Sequence, residues 1–202
     1  MQEQIVTRFK RFIVWMCRIC YCRGFGVQSP WAYRFVRYVI NEHYPYYAYK
    51  EIEKKAKGES VLAHKLGRLY LRIANHVQPK EVVQYGNTKK VYDMYFKAGC
   101  RKSRLVKLTD DTDIKLVDTL DNITLMRIVP DGDYRRLFNK ACMKAIDGSV
   151  FIIEGIRSNK DAKQFWRETV SLLDGVVTFD LYYCGIVCFE KKLFKRNYII
   201  NF

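Results

Sequence analysis

The stretch from Pro79 to Gly99 constrains this chain more than any other. Lys80-Glu81-Val82-Val83-Gln84-Tyr85 reads as a short buried strand, Gly86 as a tight turn, and the residues after Asn87-Thr88-Lys89-Lys90 as a helix closing at Gly99. A strand passing through glycine into a helix start is how α/β proteins build nucleotide sites. The backbone approaches a ligand where no side chain intervenes, and the free N–H groups of the first helical turn point at it.

The flanking pattern extends this unit into a sheet. A helix with Leu62, Leu66, Leu69, Ile73 and Val77 on one face precedes it and stops at Pro79. After it come a second strand, Arg104–Leu108, and then a strand from Ile123 to Val129. The dozen residues between them leave room for one short element, not for a helix plus a strand. Tyr134–Ile146 reads as a helix, Ser149–Ile153 as a buried strand, and Lys160–Leu173 as a helix with Phe165, Thr169 and Leu172 inward. Val176–Tyr183 and Ile186–Glu190 meet at Gly185 as an antiparallel hairpin, and Asn197–Phe202 adds an extended end. The expected fold is α/β, a mostly parallel Rossmann-like sheet with helices on both faces and an antiparallel C-terminal hairpin. Residues 1–60 form a helical extension and 61–202 the main domain.

That extension has its own grammar. Ser29-Pro30 starts a helix, a capping hydroxyl followed by proline at the first helical position. The helix carries Trp31, Phe35, Tyr38 and Val39 and ends before Pro45. Tyr44-Pro45-Tyr46-Tyr47-Ala48-Tyr49 is an aromatic elbow that packs as a satellite core or stacks on a flat ligand such as adenine. Glu51–Glu59 reads as a charged link, and His64 and His76 as exposed polar residues. Earlier, the run Arg8–Ile19 has a basic front and an apolar body, with Arg18 interrupting it well short of a membrane span. It lies either on the protein's own core or on an anionic membrane surface.

Composition narrows the function classes. With 49% apolar residues among 202, the chain packs a core and is not disordered. A formal charge of +15, from 36 Lys and Arg against 21 Asp and Glu, attracts phosphates, acidic polymers or anionic head groups. No basic–aromatic motif of an RNA module accompanies it, so nucleic acid is not the expected partner. The seven cysteines fit free thiols of a reducing cytoplasm. Cys17, Cys20 and Cys22 lack the second pair that a zinc site needs.

The chain resembles the class I S-adenosylmethionine-dependent methyltransferases, most closely a Bacteroidetes group of O-methyltransferase-like proteins. The resemblance spans almost the whole length. It is carried by Arg23–Pro30, Tyr46–Tyr49, Lys65–Leu69, Pro79–Gly86, Ile153–Ile156, Phe179–Tyr183 with Gly185–Val187, and Tyr198–Phe202. It implies a cofactor site at Gln84, Gly86, Asn87, Lys90, Asp110, Asp111 and Asp131, the two central aspartates serving the ribose hydroxyls. Those two carboxylates also suit a plain turn start. Asp131, Asp133 and Tyr134 are the implied base or acceptor contacts, for a small or anionic methyl acceptor. In metal-dependent relatives an aspartate at the place of Asp131 joins an acidic pair after the next strand. Here only Glu154 is offered, with Gly155 beside it, so no metal site is expected.

Two departures mark the cofactor loop. Gln84 stands where the family carries an acid, and Lys90 where it carries a second glycine. Both disfavour a ligand that is positive at sulfur, so cofactor binding is expected to be weak or lost. The alternatives are a catalytically inactive binding or scaffold module and a basic protein that binds nucleic acid or an anionic membrane through the N-terminal helix and Lys191–Arg196.

Overall fold

The structure, a computed structural model, describes residues 9, 12–22, 24–109 and 114–202. Among the described residues, seven α-helices follow residues 12–17, which are also helical: α1 (Pro30–Phe35), α2 (Tyr47–Lys55), α3 (Val61–Val77), α4 (Lys90–Gly99), α5 (Ile114–Thr119), α6 (Tyr134–Met143) and α7 (Lys160–Leu172). The strands are β1 (Glu81–Tyr85), β2 (Arg104–Leu108), β3 (Leu125–Ile128), β4 (Ser149–Glu154), β5 (Val176–Asp180), β6 (Cys184–Phe189) and β7 (Arg196–Ile199).

They form one sheet in the order β2-β1-β3-β4-β6-β5-β7. The first four strands are mutually parallel. The hairpin is antiparallel as expected, but its second strand, β6, slots between β4 and β5, so both β6 pairings are antiparallel. β7 then runs parallel to β5. Among the described residues the short link between β2 and β3 carries only α5, and β2 is an outer strand.

Alternation along the strands makes two cores. Val82, Leu125, Val150 and Ile152 face α3, α4 and the N-terminal helices. Val83, Met126, Phe151 and Ile153 face α5, α6 and α7. α3 and α4 approach closely because two glycines let them. A methyl on Gly67 would sit 2.1 Å from the Tyr95 ring, and one on Gly99 would sit 2.2 Å from the Leu71 carbonyl oxygen. Such overlap in a packed core costs on the order of 1–3 kcal/mol. Ser29, Ser60 and Asn159 cap α1, α3 and α7 by accepting from Ala32, Ala63 and Ala162 N–H groups. Each cap contributes roughly 1 kcal/mol.

Several local expectations change. α1 runs directly into a π-helical turn at Val36–Ile40, whose end carbonyls, Val39 and Ile40, accept from the buried Arg72 guanidinium at 2.6 and 2.8 Å. Tyr38 is exposed there instead of inward. The charged link is largely helix α2, because Ile52 is buried among charged neighbours and Glu53 pairs with Arg68. His64 is half-buried, within 3.0 Å of the Tyr95 hydroxyl and 3.2 Å of the Ala56 carbonyl. Leu172 ends α7 in solvent, while Phe165 and Thr169 point inward.

Candidate functional site

The corner where β1 meets α4 is built as its sequence suggests. Gly86 adopts φ +81°, a left-handed conformation that glycine takes without strain. Its N–H donates to the Leu108 carbonyl at 3.2 Å, and a Cβ placed on it would lie 3.1 Å from Val129 Cβ. The turn is thus folded against the end of β3. Asn87, Lys89 and Lys90 are exposed, and Lys89 at the start of α4 provides no side-chain cap.

A polar row, buried at Gln84 and Arg127 and exposed at Lys107, lies beneath this turn. Registration places Lys107, Gln84 and Arg127 side by side on adjacent strands, all on the α3–α4 face. Gln84, fully buried, donates from Nε2 to Asp93 Oδ1 of α4 at 2.8 Å, and Lys107 holds the other carboxylate oxygen at 2.5 Å. Arg127, with its side chain 1% exposed, donates from Nε to Glu154 Oε2 at 2.7 Å. Its Nη2 reaches the Asn87 carbonyl of the turn at 3.4 Å.

Glu154 is enclosed further by two phenols. Tyr70 donates to Oε2 at 2.7 Å and Tyr92 to Oε1 at 3.3 Å. Burial first, and then the Glu154 charge, push both phenols well above the ordinary tyrosine value, so they remain donors. The Arg127 guanidinium also lies 4.7 Å from the Tyr92 ring centre. Two buried atoms of the row, Gln84 Oε1 and Arg127 Nη1, have no hydrogen-bond partner.

The remaining sequence candidates separate. Asp131 is exposed and accepts from the Gly132 N–H at 3.0 Å. Asp133 precedes α6 and lies 3.9 Å from Arg136. Tyr134 is buried and hydrogen-bonds Asp161; burial first and then that bond push its hydroxyl up to about 12, which suits a donor and not a base. Asp110 and Asp111 lie outside the described residues. Both oxygens of Glu154 are engaged by Arg127 and the two tyrosines, so it does not turn outward as a metal ligand. Among the described residues, no group of three or more His, Cys, Asp and Glu converges.

The aromatic elbow packs only in part. Tyr49 is buried beside Tyr95, whereas Tyr44 and Tyr47 are exposed, Tyr47 at 94%. With Lys65 and Arg68 they line a cleft of about 1050 Å³, and no residue of the Gly86 turn contributes to it. Arg127 and Glu154 were not among the sequence candidates as a pair. The signal was present, since a cation inside the apolar run Leu125–Ile128 demands a partner.

No protein-family model matches the sequence, and no curated protein matches it. Solved structures do. A methyltransferase from Geobacter sulfurreducens superposes with a TM-score of 0.53 at 11% identity, over 81% of this chain and 98% of its own. The Rossmann-like fold is shared with this methyltransferase structure. Cofactor-bound Rv0187 from MTB gives a TM-score of 0.51 at 13% identity, over 72% of this chain and 87% of its own. SAH-bound Podospora anserina methyltransferase PaMTH1 gives 0.50 at 10% identity, over 81% and 97%. At such identities the likeness is one of fold alone.

Proposed function

We propose that this chain keeps the methyltransferase fold as a binding or scaffold module, and that its cofactor corner does not take S-adenosylmethionine. The supporting observation is the charge of that corner. Its turn carries Lys89 and Lys90 at the surface and Arg127 beneath. Three acids near it are committed to cations, Asp93 to Lys107, Glu154 to Arg127 and Glu59 to Lys89, while Asp131 is exposed and accepts from the Gly132 N–H. S-adenosylmethionine has a net positive charge at neutral pH, and a corner of this sign opposes it. The residue in the place of the family acid, Gln84, is neutral and spends its amide on Asp93. Gly86, whose bare backbone would admit a ligand, is packed on Val129.

Isothermal titration with S-adenosylmethionine and its demethylated product tests this reading. Neither heat nor a thermal shift is expected with the native chain at millimolar ligand. Micromolar binding of either ligand overturns the reading and returns the chain to the enzymes. A Gln84→Glu, Lys90→Gly double variant that gains binding locates the loss at those two positions.

A further inference from the structure

We propose that the N-terminal segment docks this protein on an anionic lipid surface. The segment is inside out. Phe9, Phe12, Ile13, Trp15, Met16 and Ile19 are all exposed, Phe12 at 57% and Trp15 at 47%, while Arg18 is the side chain turned inward and only 8% exposed. Soluble surfaces scatter single apolar residues; a continuous group on one segment marks a place where something binds.

The orientation is fixed, not incidental. Arg18 Nη2 pairs with Asp180 Oδ1 at 2.8 Å, and Nη1 donates to the carbonyls of Asp180 and Ile200 at 2.9 and 3.3 Å. The Asn201 side-chain amide donates to the Trp15 carbonyl at 3.3 Å, and its backbone N–H donates to the Tyr21 carbonyl at 3.0 Å. These bonds use the backbone and the inward Arg18, so the exposed apolar side chains are left for a partner.

Charge selects that partner. Besides the inward Arg18, residues 1–25 contain Arg8, Lys10, Arg11 and Arg23 against Glu3 alone, on a chain of net charge +15. A second copy would bring equal positive charge against this face, whereas a phosphatidylserine surface offers the opposite sign next to an apolar layer. No helix among the described residues is long and apolar enough to cross a membrane. The proposed contact is with the surface, and it is independent of whether the corner binds a cofactor.

Flotation of the full chain with vesicles tests this. Vesicles of phosphatidylcholine with phosphatidylserine should carry the protein, and vesicles of phosphatidylcholine alone should carry about tenfold less. The bound fraction should fall as salt rises. Phe12→Glu combined with Trp15→Glu should reduce flotation about tenfold with the melting curve unchanged. Tyr38→Glu, on an exposed aromatic outside the segment, should leave flotation intact. Absence of flotation with anionic vesicles overturns the proposal, as does equal flotation with both vesicle types or indifference to the double variant. A dimer in sedimentation that the double variant dissolves, without flotation, assigns the face to a second copy instead.

Discussion

Arg127 and Arg18 are both buried cations, yet they are held in different ways. Arg127 sits in the middle of the sheet, pairs with Glu154 and leaves Nη1 without a partner. Arg18 comes from the chain's edge and places its Nη1 and Nη2 donors on two carbonyls and a carboxylate that Arg157 also shares at 2.6 Å. Removing Arg127 strands an acid against two tyrosines. Removing Arg18 leaves Asp180 with Arg157 and the Tyr182 N–H. The first arginine is therefore a condition of the core, and the second is a clasp for the segment it belongs to.

The largest effect is expected at Arg127. Arg127→Met should destabilise the chain by about 3 kcal/mol, because a partly buried acid loses its cation and keeps only phenolic donors. Arg127→Met with Glu154→Leu should recover more than half of that loss, since a buried pair replaced by apolar groups is often nearly neutral. Chemical denaturation of the single and double variants checks both. A double variant no better than the single would mean that Tyr70 and Tyr92, not the charge pair, set the cost.

Arg18→Met should cost less, about 1–2 kcal/mol, because the Asp180 carboxylate keeps Arg157 and the Tyr182 N–H and its carbonyl keeps the Ile200 N–H. Its sharper signature is local. Trp15 and the residues beside it should become accessible to protease while the sheet melts as before, with limited proteolysis set beside thermal unfolding. A loss as large as that of Arg127→Met would erase the distinction between core and clasp.

These two residues also show what the sequence made legible. The strand, glycine and helix around Gly86 are local patterns, and periodicity suffices to read them. The insertion of β6 between β4 and β5 is a long-range choice among hairpin placements, and no local pattern encodes it. Arg127 follows the alternation of β3 onto the α3–α4 face, so its burial was readable, but its partner lies on another strand. The N-terminal run gives no side to choose, because apolar residues surround Arg18 on every helical face. Only the fold, by bringing Asp180 beside it, decides that the arginine goes in. At the candidate site, Gln84 and Lys90 were legible as departures, whereas the pairing of Asp93 with Lys107 needed three elements to meet.

The smallest expected effect is the pH dependence of the clasp. Burial raises the Asp180 carboxyl, but the Arg18 hydrogen bond and charge, the Tyr182 N–H and Arg157 outweigh it and hold the group below the ordinary aspartate range. A carboxyl lowered by folding binds fewer protons in the folded state than in the unfolded one. Its stabilisation is therefore complete above the unfolded value, about 3.9, and is lost as pH falls through the lower folded value. The stability difference between the native chain and Asp180→Asn should be constant from neutrality to about pH 5 and should shrink below about pH 4. Denaturant melts across that range read it directly. A difference that stays constant down to the lowest pH would show that Arg18 is held by the two carbonyls alone, and that the clasp owes nothing to the charge of Asp180.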